Sequence, residues 1–152
     1  MNTKLLFPFL MFLCFSSYGQ ALNWNTDIDS AILISNKENK PMLLFFTNAD
    51  ASKGPINSQV FNTLDFAVWA RDNIVLVKLD LTDDGLNQYV DRNVSLRKSF
   101  GVQELPTICF ANARVKKDKI NYALIGKLGF KSGGVKSWIA DANKVLAGPD
   151  DE

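Results

Sequence analysis

Two mainly apolar runs, the first of them continuous, constrain the fold of this chain more than any other feature of its sequence. Residues 42–47 read MLLFFT and residues 74–81 read IVLVKLDL, and turn-forming residues flank both runs. A strand with one solvent-facing side alternates apolar and polar residues, whereas a short continuous run is typical of a strand buried on both faces. The runs therefore predict a mostly parallel sheet that helices cover on both sides.

Segments with helical spacing alternate with these runs. The predicted helices span residues 24–40, 56–70, 86–100 and 135–146. Two further strands are predicted at residues 107–111 and 120–125, with a turn over 112–119. The order α-β-α-β-α-β-β-α predicts a single α/β domain with a mixed four-stranded sheet and helices on both faces.

The first 20 residues have the pattern of a secretory signal peptide. Lys4 precedes an apolar run, residues 5–15, which is shorter than the ~20 residues of a spanning helix. We expect cleavage near Gly19–Ala21, a domain over residues 21–148 and an acidic tail over 149–152. An uncleaved membrane anchor is the alternative, and it is the one case in which we expect membrane contact. The pattern predicts a periplasmic or otherwise exported protein.

Composition excludes several classes of function. The chain contains no histidine, the commonest metal ligand and general base, so we expect neither a metal site nor a cofactor. Its 17 basic and 16 acidic residues nearly balance, which argues against nucleic acid as a partner. We interpret the basic run Arg114, Lys116, Lys117 and Lys119 as a solvated turn that discourages pairing of a sheet edge.

Residues 100–107, FGVQELPT, resemble the segment of thioredoxins in which a glycine-ended helix leads to a cis-proline and a central strand. Gly126, Gly129 and the closing helix are similar to the last strand and terminal helix of that family. The resemblance implies a thioredoxin-like fold over nearly all of residues 21–148. It also implies that Pro106 is cis.

Residues 39–47, NKPMLLFFT, resemble more specifically the secreted bacterial domains found in thiol:disulfide interchange proteins. In those domains a Cys-x-x-Cys motif follows this strand, but residues 48–55 here read NADASKGP. Counting from either side places the two cysteine positions differently: Ser52 and Pro55 counted forward, or Asp50 and Lys53 counted backward. Neither register contains a thiol.

Disulfide exchange requires an attacking thiolate and a second thiol that closes the new disulfide. Cys14 lies in the predicted signal peptide, which leaves Cys109 as the one thiol of the mature chain. We interpret Cys109 as a small core residue, with a reactive monothiol as the alternative. We interpret Ser52 as a helix N-cap beside an exposed Lys53 rather than as an activated nucleophile.

In thioredoxins the cis-proline turn exposes backbone that pairs with an extended peptide. The resemblance therefore implies a peptide groove here, with Leu105, Pro106, Ala51 and Gly54 as its candidate residues. The sequence favours a non-catalytic module that binds a polypeptide or partner protein. The alternatives are a redox protein that acts through Cys109 and a structural subunit that uses another exposed face.

Overall fold

The computed structural model describes residues 22–148 of the chain. The predicted signal peptide and the acidic tail lie outside the described residues. No helix within 22–148 has the length and apolarity needed to cross a membrane.

A single mixed sheet organises the fold. Its strands are β1 (Met42–Thr47), β2 (Val75–Asp80), β3 (Thr107–Lys116) and β4 (Lys119–Leu128), in the spatial order β2-β1-β3-β4. Strand β1 pairs parallel with β2 and antiparallel with β3, and β3 pairs antiparallel with β4. The helices are α1 (Ile28–Glu38), α2 (Leu64–Asn73), α3 (Val90–Ser99) and α4 (Gly134–Ala147). The predicted α/β class with a mixed four-stranded sheet is confirmed.

Strand β1 is buried along its whole length because both of its faces are covered. Met42, Leu44 and Phe46 join the core on the side of α1 and α3. Leu43 and Phe45 join a second core on the side of α2 and α4. This period-two division between two cores explains why the run contains no alternating polar residues.

Helix α1 begins later than the predicted start at residue 24. The Asp27 carboxylate caps it by accepting hydrogen bonds from the first free backbone N–H groups. Ahead of this cap, Asn25 forms a parallel bridge with Val77. Trp24 packs its ring 5.1 Å from the ring of Phe61. The residues before Asp27 therefore extend the sheet and the core instead of the helix.

The helix predicted over residues 56–70 is interrupted. A wide helical turn at Asn57–Phe61 ends before Thr63, and α2 begins afterwards. The Thr63 hydroxyl donates to the Val60 carbonyl at 2.6 Å and accepts from the Phe66 N–H at 3.3 Å. The side chain thus ends one helical segment and caps the next.

Strands β3 and β4 run well past the rest of the sheet. The register of β1 on β3 ends at the pair Met42–Ala111, so residues 112–123 form a two-stranded extension; we call this extension, with Leu124 at its base, the ribbon. The turn expected over residues 112–119 is confined to Lys117 and Asp118, whose φ angles are 52° and 60°. Two consecutive left-handed residues form the tight turn that matches the twist of paired strands.

Candidate functional site

The two segments expected to form the groove lie at one edge of the sheet. Strand β1 ends at Thr47, and the register pairs its neighbour Phe46 with Thr107, the first residue of β3. The loop 48–55 and the Leu105–Pro106 segment therefore meet the sheet at the same edge. The Leu105–Pro106 peptide bond is cis. All four groove candidates, Ala51, Gly54, Leu105 and Pro106, are half-buried there.

Neutral hydrogen bonds close the loop 48–55 on itself. The Asn48 side-chain oxygen accepts from the Ala51 N–H at 2.8 Å, and the Ser52 N–H donates to the Asn48 carbonyl at 2.9 Å. The Asn57 side-chain amide donates to the Ser52 carbonyl at 2.6 Å. These bonds satisfy the turn's backbone groups without a metal, a disulfide or an ion pair.

The prediction that Ser52 caps a helix is wrong. Ser52 lies within the short 3₁₀ turn Ala51–Lys53, and the helical segment that follows begins at Pro55, three residues later. Its Oγ lies 3.2 Å from the Oγ of Thr47, which is completely buried at the end of β1. The contact places a second neutral hydroxyl beside Ser52, and a hydroxyl is no base for activating it.

The four positions that the two registers align with a cysteine pair differ in exposure but share one chemical property. Ser52 is half-buried, whereas Asp50, Lys53 and Pro55 are exposed. None of the four side chains can form a thiolate, the species that attacks a disulfide. Both registers stay predictions, and in each of them this edge lacks the groups of a dithiol centre.

Cys109 is the one cysteine within residues 22–148, and it lies in the core. It faces Leu44 across the β1–β3 pairing, and none of its surface is exposed. Burial raises the pKa of its thiol to about 11, since the charged form loses its hydration. At neutral pH the group is therefore a neutral thiol that reagents in solvent do not reach.

Arg97 holds the segment that leads to the cis-proline. Its guanidinium donates to the Val102 carbonyl at 3.0 Å and to the Gln103 carbonyl at 2.5 Å. The Thr107 hydroxyl donates to the Glu104 carbonyl at 2.7 Å on the other side of that proline. Sequence reasoning identified neither Arg97 nor Asn57, because no motif marks a side chain that bonds distant backbone carbonyls.

Metal-ligating side chains do not gather in the described part of the chain. Residues 22–148 contain no group of three cysteine, aspartate or glutamate side chains close enough to hold an ion.

Comparison with known proteins places this architecture. A solved structure titled "DsbH Oxidoreductase" superposes with a TM-score of 0.66 at 20% sequence identity, covering 83% of this chain and 85% of that one. The solution structure of a thioredoxin from Thermus thermophilus superposes with a TM-score of 0.60 at 15% identity, covering 83% and 88%. No protein-family model and no curated protein matches the sequence. The likenesses show a thioredoxin-like fold.

Proposed function

We propose that this protein is an exported thioredoxin-like module that binds a polypeptide at the edge formed by the loop 48–55 and the Leu105–Pro106 segment, without exchanging disulfides. One observation carries the proposal. The edge has an ordered loop, held by three neutral hydrogen bonds, but none of its side chains is a thiol.

The chemistry of the remaining thiol supports a non-catalytic role. Exchange at Cys109 would require its sulfur to reach a disulfide in a partner, yet its side chain is completely enclosed by the sheet and α1. Its pKa of about 11 leaves roughly one molecule in ten thousand as thiolate at neutral pH. Burial and protonation both oppose the redox alternative.

The backbone at Leu105 supports polypeptide binding. Within residues 22–148, neither the N–H nor the C=O of Leu105 has a hydrogen-bond partner. An extended segment that aligns beside residue 105 can satisfy both groups, as strand addition does at sheet edges. The Arg97 contacts keep residues 102 and 103 fixed before a ligand arrives, which lowers the entropic cost of binding.

Capture of interacting proteins tests this edge. The protein and its variants are used as baits in an extract of exported proteins from the source organism, after thermal melts show that each variant is folded. Ala51→Arg blocks the groove, and Leu105→Ala trims it. Leu64→Ala removes an exposed leucine of α2, 76% exposed, as the matched control.

We expect the native protein and Leu64→Ala to retain the same proteins, and both groove variants to lose them by about tenfold or more. Recovery of an unchanged set with both groove variants contradicts binding at this edge.

Export is tested separately by fractionating the source bacterium and sequencing the N-terminus of the recovered protein. We expect a periplasmic protein that begins near Ala21. A cytoplasmic protein that retains residues 1–20 contradicts this part of the proposal.

A further inference from the structure

The ribbon has an apolar face that leaves the core and continues into solvent. Side chains of directly paired residues share a face, so Val115 lies beside Ile120 and Ala113 beside Tyr122. Ala113 is buried, but Val115, Ile120 and Leu124 are 56%, 39% and 47% exposed. This stripe begins on the core and ends uncovered.

A pocket of about 300 Å³ opens on the same face. The rings of Phe100 and Tyr122 pack edge to face inside it, with centroids 5.5 Å apart. Its lining is Ser99, Phe100, Ile120, Asn121, Tyr122 and Leu124. Four of these six lining residues are apolar or aromatic, whereas Ser99 and Asn121 are polar, and the volume has room for one or two aliphatic side chains.

The backbone of the same residues is available for pairing. Strand β4 is the outermost strand of the sheet formed by residues 22–148, so within that range one of its edges has no neighbour. Starting from the pair Lys116–Lys119 beside the two-residue turn, hydrogen-bonded and non-hydrogen-bonded pairs alternate. Ile120, Tyr122 and Leu124 occupy non-hydrogen-bonded pairs, so their N–H and C=O groups point to the open edge. These three residues line the pocket, and their outward N–H and C=O groups have no strand partner within the described residues.

Charge distinguishes between possible occupants of this edge. From Thr107 to Leu128 the hairpin has a formal charge of +4, in a chain whose net charge is +1. Its charged side chains are Arg114, Lys116, Lys117, Asp118, Lys119 and Lys127. A second copy would bring an equal positive charge to the same edge, and lysines at strand edges oppose such self-pairing. An acidic partner is attracted instead.

We propose that the outer edge of β4 and the ribbon pocket bind an extended segment of a partner polypeptide. The segment has apolar residues at alternate positions and acidic residues at the end that lies beside the Lys117–Asp118 turn. Its backbone pairs with Ile120, Tyr122 and Leu124, and its apolar side chains enter the pocket. The site lies along β3 and β4 away from Pro106, and it does not depend on the proposed groove.

A synthetic peptide tests the site with the purified protein. The probe is a fluorescent, blocked peptide in which valine alternates with threonine, followed by two aspartates at one end. A second probe has two lysines instead, and a third has N-methyl groups on alternate backbone nitrogens. We expect saturable binding of the first probe, weakened by salt, and about tenfold weaker binding of the other two.

Two protein variants locate the site. Leu124→Lys inserts a cation into the pocket wall, and Leu33→Lys makes the same change at a 69% exposed residue of α1. We expect Leu124→Lys to weaken binding of the first probe about tenfold and Leu33→Lys to leave it unchanged. A purely electrostatic surface would bind the acidic probe as well or better after Leu124→Lys.

Three results overturn the proposal: no saturable binding of the first probe, equal binding of the N-methylated probe, or unchanged affinity of Leu124→Lys. Sedimentation velocity tests whether a second copy of this chain occupies the edge instead. A concentration-dependent dimer that Leu124→Lys dissociates would assign this edge to a second copy and overturn the proposed partner. Failure of these tests leaves the groove experiment with Ala51→Arg unaffected, because that variant lies at the other end of β3.

Discussion

The two ends of β3 differ in a way that bears on how function is inferred from this fold. At its Thr107 end, a recognisable segment and a fold-defined edge meet a loop that neutral hydrogen bonds close on itself. At its Lys116 end, no motif marks the sequence, yet an apolar stripe and a strand edge that no residue of the described range pairs with reach solvent. The edge to which the sequence resemblance points and the surface left unpartnered within residues 22–148 are therefore different places.

The comparison shows that conformation and reactivity are separable. The first end has a cis peptide bond beside the loop 48–55, and that loop contains no thiol. At the second end, side chains alone create a surface that the topology does not demand. Function follows from the side chains and backbone groups present at each end, not from the fold by itself.

The largest expected effect is on unfolding free energy, and it should differ between two residues that line the ribbon pocket. Phe100→Ala removes a buried ring that packs 6.0 Å from Phe46 and 5.5 Å from Tyr122, so we expect a loss of about 3 kcal/mol in unfolding free energy. Leu124→Ala removes a side chain that is 47% exposed, and we expect about 0.5 kcal/mol. Urea denaturation measures both. Equal losses would contradict the view that Phe100 stabilises the fold and that Leu124 contributes little to stability.

The second-largest expected effect on stability is at the buried Cys109. Cys109→Ser places a hydroxyl in an apolar core without an evident partner, and we expect a loss of about 2 kcal/mol. Cys109→Ala introduces no polar group and is the control, with an expected loss of about 1 kcal/mol. Thermal melts of the two variants give the order. A serine variant as stable as the alanine variant would show that the site admits water.

The α1–α3 contact near the ribbon contributes stability that depends on pH. Hydrogen bonds from Ser30 and Arg92 lower the pKa of Asp27 from 3.8 to about 2. A lowered pKa stabilises the fold above about pH 4, and this contribution is lost as the pH falls to about 2. Asp27→Ala should cost about 1 kcal/mol at neutral pH and flatten the acid limb of the stability curve.

Asp29→Ala is the control for that prediction. Asp29 is 3.4 Å from the same arginine and its side chain is 64% exposed, so we expect a smaller loss. Parallel pH titrations of unfolding free energy measure both variants. An acid limb that Asp27→Ala leaves unchanged would rule out this carboxylate as its source.

The smallest expected effect on stability is at the loop 48–55. Asn57→Ala removes the 2.6 Å hydrogen bond to the Ser52 carbonyl, and we expect a loss of about 1 kcal/mol or less. Asn62→Ala changes an exposed asparagine a few residues away and should have little effect. Hydrogen exchange of residues 50–54 should accelerate in the first variant alone. Equal exchange in both variants would mean that Asn57 does not order the loop.

Elements could be predicted from the sequence where the pattern of buried apolar residues is clear. Strand β1 and helix α4 were predicted within one residue of their observed ends, because a doubly buried run and an amphipathic face have distinct periodicities. The end of α3 was likewise predictable, since Gly101 adopts the left-handed conformation, φ 59°, that glycine tolerates.

Features that depend on side chains meeting at a distance could not be predicted. Thr63 divides a helical pattern because its hydroxyl finds both a carbonyl and an N–H, and spacing alone does not show this. The ribbon's extent depends on pairing that continues beyond β1. At the candidate site the segments were predicted, but the Ser52–Thr47 contact and the Asn57 and Arg97 bonds were not.

The most direct test of the central claim is the rate of insulin disulfide reduction by dithiothreitol in the presence of this protein, with an active thioredoxin as the positive control. Because the loop 48–55 has no thiol and Cys109 is enclosed, we predict a rate equal to that of dithiothreitol alone. A faster rate that Cys109→Ala abolishes would contradict the account and establish a redox function for the buried thiol.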